Sequence, residues 1–162
     1  MYQRIAHITL LVENYDEAIA FYTKKLGFRL VEDTKLSETK RWVIIAPNGA
    51  KECSLLLAKA DNEQQAQSIG NQTGGRVFSF LFTDDFDRDY ENLKVRKINF
   101  VRPPQVFEYG KVAVFEDLEV HATAQVEKQY TNPVYNNITR QGKVFDHDFL
   151  PEDQFRKNIE IR

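Results

Sequence analysis

The chain has 162 residues, 42% of them hydrophobic and 12% aromatic, which is enough apolar material for one domain with a buried core. Its 22 basic and 24 acidic residues give a net charge of −2, so no basic field is available to attract nucleic acid. A single cysteine, Cys53, excludes an intrachain disulfide, and no apolar run approaches the length of a membrane span. We therefore expect a cytoplasmic protein that binds neither nucleic acid nor membranes.

The first half of the chain predicts a strand, a helix and three further strands, in that order. Residues 5–12 alternate in polarity so that His7 and Thr9 share one face of a strand. Asn14 is a suitable helix cap, and Gly27 ends the helix that follows. The three further predicted strands cover residues 28–32, 41–46 and 53–58.

The second half repeats this pattern after a polar link at residues 59–75. A strand at residues 76–83 precedes a helix capped by Asp84 or Asp85. Later strands are predicted at residues 99–102, where Pro103–Pro104 ends the strand, at 112–116 and at 119–126.

An internal repeat of pattern relates the two halves. Superposing Val12–Tyr15 on Phe82–Asp85 gives a period of about 70 residues and predicts two βαβββ modules of an α+β fold. The expected domain covers residues 1–126, with module one at 1–58, the link at 59–75 and module two at 76–126. Residues 127–162 form a divergent C-terminal tail with five aromatic side chains, which we expect to be partly ordered on the domain or on a partner chain.

Several segments share the sequence pattern of a known family. They are Ile5–Thr9, Tyr15–Tyr22, Leu26–Phe28, Arg41–Pro47, Gly70–Phe78, Thr83–Phe86 and Tyr109–Leu118. Together they resemble the vicinal oxygen chelate superfamily, which includes glyoxalases, bleomycin-resistance proteins and dioxygenases. The resemblance implies a curled mixed sheet around a central cleft, and a homodimer with clefts at or near its two-fold axis. After Leu118 the sequence departs from the family's usual Tyr-Gly-Asn turn and Trp-Asp strand.

The resemblance also bears on a metal ion. It implies that metal-dependent members place one His, Glu or Gln ligand on each of four strands. His7 stands at the first position, whereas the second falls near Leu55 and the third near Val77, and neither of these side chains can donate a lone pair. The candidates on the fourth strand are His121, Gln125 and Glu119. We therefore expect no metal cofactor, with a divalent metal held by His7 and His121 as the alternative.

The face that carries His7 is expected to line the cleft. His7 is interpreted either as a cleft-wall histidine or as a catalytic general acid/base. Arg41 is interpreted either as a holder of a carboxylate or phosphate, or as a solvated arginine at a strand edge. The predicted ligand-binding residues are His7, Thr9, Arg41, Trp42, Leu55, Phe78, Phe80, Phe107 and Tyr109.

Three functions are compatible with this sequence. The first is a glyoxalase/bleomycin-resistance-like protein that binds a small organic molecule in an apolar cleft without metal. The second is a metal-dependent or His7-dependent lyase or isomerase of the glyoxalase type. The third is an assembly module with a vestigial cleft, which the aromatic tail favours. The sequence leaves open the ligand and whether catalysis occurs.

Overall fold

The computed structural model of the protein describes residues 3–51 and 53–128. The predicted tail therefore lies outside the described residues, apart from its first two positions. No helix in the described ranges is long and apolar enough to cross a membrane. The elements are β1 (His7–Val12), α1 (Tyr15–Ala20) followed by a π-helical turn (Phe21–Lys25), β2 (Arg29–Lys35), β3 (Arg41–Ala46), β4 (Ser54–Lys59), α2 (Glu63–Ser68), β5 (Ser79–Phe82), α3 (Phe86–Val95), β6 (Phe100–Phe107), β7 (Gly110–Glu116) and β8 (Ala122–Lys128).

Two four-stranded mixed sheets of identical topology make up the fold. The strand orders are β1-β4-β3-β2 in the first sheet and β5-β8-β7-β6 in the second. In each sheet the first strand lies at an edge, parallel to the fourth strand, and the other neighbours are antiparallel. This repeated arrangement confirms the α+β fold of two βαβββ modules.

Each module begins its main helix at a side chain that accepts hydrogen bonds from free backbone N–H groups. Asn14 Oδ1 accepts two of them at 2.8 and 3.3 Å, and Asp85 Oδ1 accepts one at 3.0 Å. The structural repeat therefore pairs Asn14 with Asp85, one position later than the sequence superposition predicted. By this register, the position in module two that corresponds to His7 is Phe78 and not Val77.

The helices cover one face of each sheet, and the two covered faces share one hydrophobic core. We call the helix-covered side the covered face of each sheet, and the opposite side its open face. The main core cluster combines residues of both modules, and burying each large aliphatic or aromatic side chain contributes about 1.5–3 kcal/mol. Its fully buried members are Leu10, Val12, Ala18, Val43, Ile45, Leu57 and Phe115.

Several strand limits differ from the sequence prediction, and two of the differences have a clear physical reason. Pro103–Pro104 does not end β6, which continues to Phe107 with a register shift between Arg102 and Gln105. Because β6 is an edge strand paired only with β7, the missing proline N–H groups leave the ladder largely intact. The last strand begins at Ala122, later than predicted, because a turn that includes Val120 at φ 66° precedes it.

Candidate functional site

His7 lies on the open face of the first sheet, at the start of the edge strand β1. The register pairs it with Ser54, and its Nδ1 lies 2.7 Å from Ser54 Oγ. Ser54 Oγ is also placed to donate to the carbonyl of Ala6 at 3.3 Å. The imidazole meets Trp42 edge-on, with ring centroids 6.0 Å apart and an interplanar angle of 83°. No hydrogen bond from the described part of the chain reaches Nε2, so this nitrogen is available to a ligand.

The open face around His7 is apolar with a polar margin. One row across the sheet consists of Thr9 on β1, Leu56 on β4, Ile44 on β3 and Glu32 on β2. Glu32 Oε1 accepts a hydrogen bond of 3.0 Å from Thr34, its neighbour on the same face. A flat guest on this surface would thus contact aliphatic and indole groups and meet a hydroxyl, an imidazole and a carboxylate at the edges.

The open face of the second sheet is more uniformly apolar. Phe80 pairs with Ala124 and Phe82 with Val126, and these two phenylalanines are 42% and 55% exposed. Beside them, Val114, Ala124 and Val126 form a second, small hydrophobic cluster. The two open faces therefore differ in chemistry, because the first carries polar groups on its edge strands β1 and β2 and the second is aromatic and aliphatic along β5 and β8.

Two predicted site residues lie on the covered face of the first sheet, so the expectation that they share a surface with His7 is wrong. Leu55 pairs with Ile8 and packs against the main core. Arg41 Nε lies 2.9 Å from Asp33 Oδ1, and its Nη1 lies 2.6 Å from Asp16 Oδ1. The Arg41 hydrogen bond lowers the pKa of Asp33. A guanidinium already shared by two carboxylates has little capacity left for a carboxylate or phosphate ligand.

The other predicted aromatic residues fall into two places. Phe78 packs against the main core, with its ring 5.3 Å from the ring of His121. Phe107 and Tyr109 stack at the tip of the β6–β7 hairpin, with centroids 5.1 Å apart and planes within 2° of parallel. Burial raises the pKa of Tyr109, so its hydroxyl stays protonated at neutral pH. Whether any of these residues binds a ligand stays a prediction.

His121 lies at the junction of the two modules and is only 1% exposed. Its Nε2 accepts the backbone N–H of Gly70 at 3.1 Å, and its Nδ1 lies 3.2 Å from Asp117 Oδ1. Because a backbone N–H can only donate, Nε2 must carry the lone pair and Nδ1 the proton. His121 is therefore a neutral imidazole whose lone pair is already used within the fold.

Asp117 connects this histidine to the first module. Its Oδ1 accepts the backbone N–H groups of Glu119 at 3.0 Å and of His121 at 2.8 Å, and its Oδ2 accepts the hydroxyl of Tyr22. Burial, reinforced by the Asp117 carboxylate, raises the pKa of Tyr22 well above its ordinary value, so the hydroxyl remains a donor. We call Tyr22, Gly70, Asp117 and His121 the junction network. The sequence analysis missed the role of Asp117, since the contact joins residues far apart in the chain.

The link between the modules is also tied to the site strand. The side-chain amide of Gln72 accepts the N–H of Leu11 at 2.7 Å and donates to the carbonyl of Thr9 at 3.4 Å. These two bonds imitate a neighbouring strand along the free edge of β1. The junction network and Gln72 together fix the link on both sides, and they hold β1 in place.

The residues at the implied ligand positions do not fit a divalent metal site. The positions that correspond to the implied ligands hold His7, Ser54, Phe78 and, on β8, Ala122 or Ala124. Gln125 shares the covered face with Leu81, and its buried Oε1 has no hydrogen-bond partner among the described residues. Within residues 3–51 and 53–128, no three His, Cys, Asp or Glu side chains are grouped closely enough to hold an ion. Whether the protein carries a metal stays a prediction.

Comparison with known proteins supports the fold at the level of sequence as well as structure. An uncharacterized protein of Shewanella frigidimarina (strain NCIMB 400) is 58% identical over 119 residues, which cover 73% of this chain and 88% of that protein. The crystal structure of UcmS2 superposes with a TM-score of 0.68 at 30% identity, covering 78% of this chain and 98% of the other. TnmS3, an antibiotic binding protein from Streptomyces sp. CB03234, has a TM-score of 0.64 at 24% identity over 79% and 98% of the chains, a likeness that shows the fold alone.

The family assignment follows from a match that spans most of the described chain. Residues 4–123 match the model of the Glyoxalase/Bleomycin resistance protein/Dioxygenase superfamily, from β1 into the start of β8. The match therefore includes the first module, the link, the junction network and the second module as far as the start of β8. The chain belongs to the Glyoxalase/Bleomycin resistance protein/Dioxygenase superfamily.

Proposed function

We propose that this protein binds a neutral, planar, aromatic small molecule against its open faces without the help of a metal ion. The observation that carries this proposal is the environment of His7. Its imidazole is exposed, held on one side by Ser54 and set edge-on to Trp42, and Nε2 remains available for one directed hydrogen bond. Apolar surfaces with a few fixed polar groups are the usual form of small-molecule sites.

The charges near this surface argue for a neutral ligand. Arg41, for which one of the two interpretations was that it holds a carboxylate or phosphate, is turned to the covered face and paired with Asp16 and Asp33. Glu32 on the open face would repel an anionic group placed beside Ile44. A planar ring system with a hydrogen-bond donor or acceptor on its edge meets the remaining groups best, because it can pack on Trp42 while that edge reaches His7 Nε2.

The fold itself is suited to this task. TnmS3, described as an antibiotic binding protein, has the same fold, and we extend to this chain only the general idea of a bound small molecule. We also expect a homodimer, as the family resemblance implies, with open faces of the two copies lying near each other.

A second candidate function is acid/base catalysis by His7. The specific observation in its favour is the short contact of 2.7 Å between His7 Nδ1 and Ser54 Oγ, which orients the ring. A reaction of the lyase or isomerase type would use Nε2 to remove a proton from an acidic carbon. Turnover of a bound compound that is lost in His7→Ala would favour this second function.

The single tryptophan of the chain, Trp42, provides a direct test of binding. Neutral polycyclic aromatic compounds and their carboxylated analogues would be titrated against protein treated with a metal chelator, following Trp42 fluorescence. We expect quenching by the neutral compounds, unchanged by the chelator. His7→Ala should weaken the Kd about tenfold, equivalent to about 1.4 kcal/mol. A matched control is Val95→Ser, which changes a side chain 81% exposed at the end of α3, away from either open face. Preference for the carboxylated analogues, or loss of binding on chelation, would contradict the proposal.

A further inference from the structure

We propose that Ser54 fixes His7 as a hydrogen-bond donor, so that the open face of the first sheet selects neutral aromatic ligands with a carbonyl oxygen on their edge. This rests on the proposed binding function and deepens it, because it decides which hydrogen-bonding group the ligand carries. Ser54 acts through His7 and is therefore a positioning residue.

The hydroxyl of Ser54 has one proton to donate and two acceptors nearby. His7 Nδ1 lies 2.7 Å from Ser54 Oγ, and the carbonyl oxygen of Ala6 lies 3.3 Å from it. Hydroxyl donors usually lie about 2.5–3.0 Å from an acceptor oxygen, so the contact with Ala6 is long. The Ala6 carbonyl also accepts the backbone N–H of Ser54 at 3.1 Å and is satisfied without the hydroxyl. The hydroxyl of Ser54 therefore donates to His7 Nδ1.

The opposite assignment, in which His7 Nδ1 carries a proton and donates to Ser54, fits these contacts less well. N–H···O bonds are most often about 2.9–3.0 Å long, and the observed 2.7 Å is at the short limit of their range. The Ser54 proton would then have only the long contact with the Ala6 carbonyl, which is already bonded. The distances thus favour an unprotonated Nδ1.

An unprotonated Nδ1 determines what His7 presents to a ligand. A neutral imidazole carries a single N–H, so its proton lies on Nε2, which then can only donate. The indole N–H of Trp42 is a second donor on the same face, and the two ring centroids are 6.0 Å apart. Among the described residues, no hydrogen bond occupies either ring N–H. The edge of a ligand at this point therefore meets donors.

A carbonyl oxygen on a neutral ring system fits these donors. An N–H or O–H group at the same place would set donor against donor, and sites built around one hydrogen bond discriminate against analogues that cannot form it. A carboxylate would accept as well, but Glu32 on the same face opposes a negative charge. In this tautomer Nε2 has no lone pair, so it cannot remove a proton from a carbon atom, and binding is favoured over acid/base catalysis.

Nitrogen NMR of the isotope-labelled full chain tests the tautomer without a ligand. At about pH 8.5, above the range in which imidazoles usually titrate, spectra correlating ring protons with ring nitrogens distinguish protonated from unprotonated nitrogen. We expect the proton of His7 on Nε2. His121 is an internal control with the opposite tautomer, because its Nε2 accepts the N–H of Gly70. A proton on Nδ1 of His7 would overturn the inference whatever the ligand.

A set of three small ligands tests the selectivity. Indanone with its carbonyl attached to the benzene ring, indole and indene share one bicyclic frame and present an acceptor, a donor and neither group. Titrations would follow the indole N–H signal of Trp42, the single tryptophan. We expect indanone to bind about tenfold more tightly than indene, and indole no more tightly than indene.

Variants of the positioning residue connect the two measurements. Ser54→Ala should give a mixture of His7 tautomers and reduce the preference for indanone to less than about threefold, whereas Ser54→Thr keeps the hydroxyl and should retain both properties. The matched control is Ser37→Ala, since the Ser37 hydroxyl is exposed and bonded within the turn between β2 and β3.

The outcomes separate this inference from the proposed function. Tighter binding of indole than of indanone, or equal binding of all three compounds, would overturn the ligand class while the face remained a binding site. If none of the three bound, the proposed function and the ligand class that rests on it would both be wrong. The tautomer of His7 would still be decided by the spectra of the free protein.

Discussion

His7 and His121 show how one residue type serves two regions of the same molecule in opposite ways. At the junction, both ring nitrogens of His121 are bonded to protein groups and the ring is buried. On the open face, His7 uses one nitrogen for Ser54, and Nε2 keeps its bonding capacity. The difference indicates that the junction maintains the fold, whereas the open face keeps a nitrogen with bonding capacity for the ligand that we propose. Changes at the junction should therefore cost stability, and changes at the open face should cost affinity.

The largest effect is expected from Asp117→Ala. The substitution removes the acceptor of two backbone N–H groups, of the His121 Nδ1–H group and of the Tyr22 hydroxyl, most of which are buried. Buried donors left without partners cost about 1–3 kcal/mol each, and we expect a loss of about 4 kcal/mol in the free energy of unfolding, because partial relaxation limits the sum. Urea denaturation followed by circular dichroism measures it. Asp117→Asn keeps one acceptor oxygen and should lose less than half as much. If Asp117→Ala were as stable as the wild type, the inference that the junction network maintains the fold would be wrong.

Gly70→Ala should follow, with a loss of about 3 kcal/mol. Gly70 has φ +77°, and a Cβ there would lie 2.4 Å from the carbonyl oxygen of Glu119, which is backbone and cannot rotate away. Left-handed geometry alone costs a non-glycine residue about 1–2 kcal/mol. Gly74→Ala measures the cost of the left-handed backbone alone, since Gly74 has φ +63° with open space around it. Gly49→Ala, where there is also open space, should change the free energy of unfolding by less than about 0.5 kcal/mol. Thermal unfolding of the three variants should give this order.

Replacing each histidine by alanine tests the comparison itself. His121→Ala leaves the Gly70 N–H without an acceptor and opens a cavity, for an expected loss of about 2 kcal/mol. His7→Ala should alter the free energy of unfolding by less than about 0.5 kcal/mol, since the side chain is exposed. Ligand titration should give the reverse order, with the larger effect at His7. The contrast fails if the two variants lose equal stability, or if His121→Ala alone abolishes binding in a protein that remains folded.

Local pattern was sufficient to predict the modules but not the composition of each surface. The alternation in β1 placed His7 and Thr9 correctly on one face, because that inference needs only the strand itself. Leu55 was assigned to the wrong face because the register between β1 and β4 depends on a pairing across the chain, and a shift of one residue reverses the face. The edge position of β6, which lets a strand continue through Pro103–Pro104, is likewise a property of the assembled sheet.

The junction network is the clearest case of a feature that the sequence could not predict. Asp117 lies in a turn just after β7, where an aspartate usually faces solvent, and Tyr22 belongs to the apolar stripe of the first helix. Their contact exists only because the covered faces of both modules form a single core. In the alternative with a metal ion, His121 was a candidate ligand on the fourth strand that the family resemblance implies, and in the fold its lone pair instead accepts the N–H of Gly70 in the link between the modules.

The smallest effect is expected from Glu119→Gln, at the margin of the junction. Partial burial raises the pKa of Glu119 above 4.5, although its Oε1 accepts the backbone N–H of Glu13 at 3.0 Å, a bond that lowers the pKa. The folded state thus holds this proton more tightly than the unfolded state does, so the contribution to stability is present below pH 4.5 and is lost as the pH rises through the folded pKa.

A glutamine at position 119 keeps the acceptor for Glu13 and cannot ionise. Its unfolding free energy should therefore fall less than that of the wild type between pH 4.5 and neutral pH. Urea midpoints measured at intervals over that range would show the two curves diverging as the pH rises. Glu108→Gln, at an exposed position outside the junction, controls for the loss of one negative charge. If Glu108→Gln diverged from the wild type in the same way, the change in the net charge of the protein would be the cause. The partial burial of Glu119 would then not explain the pH dependence.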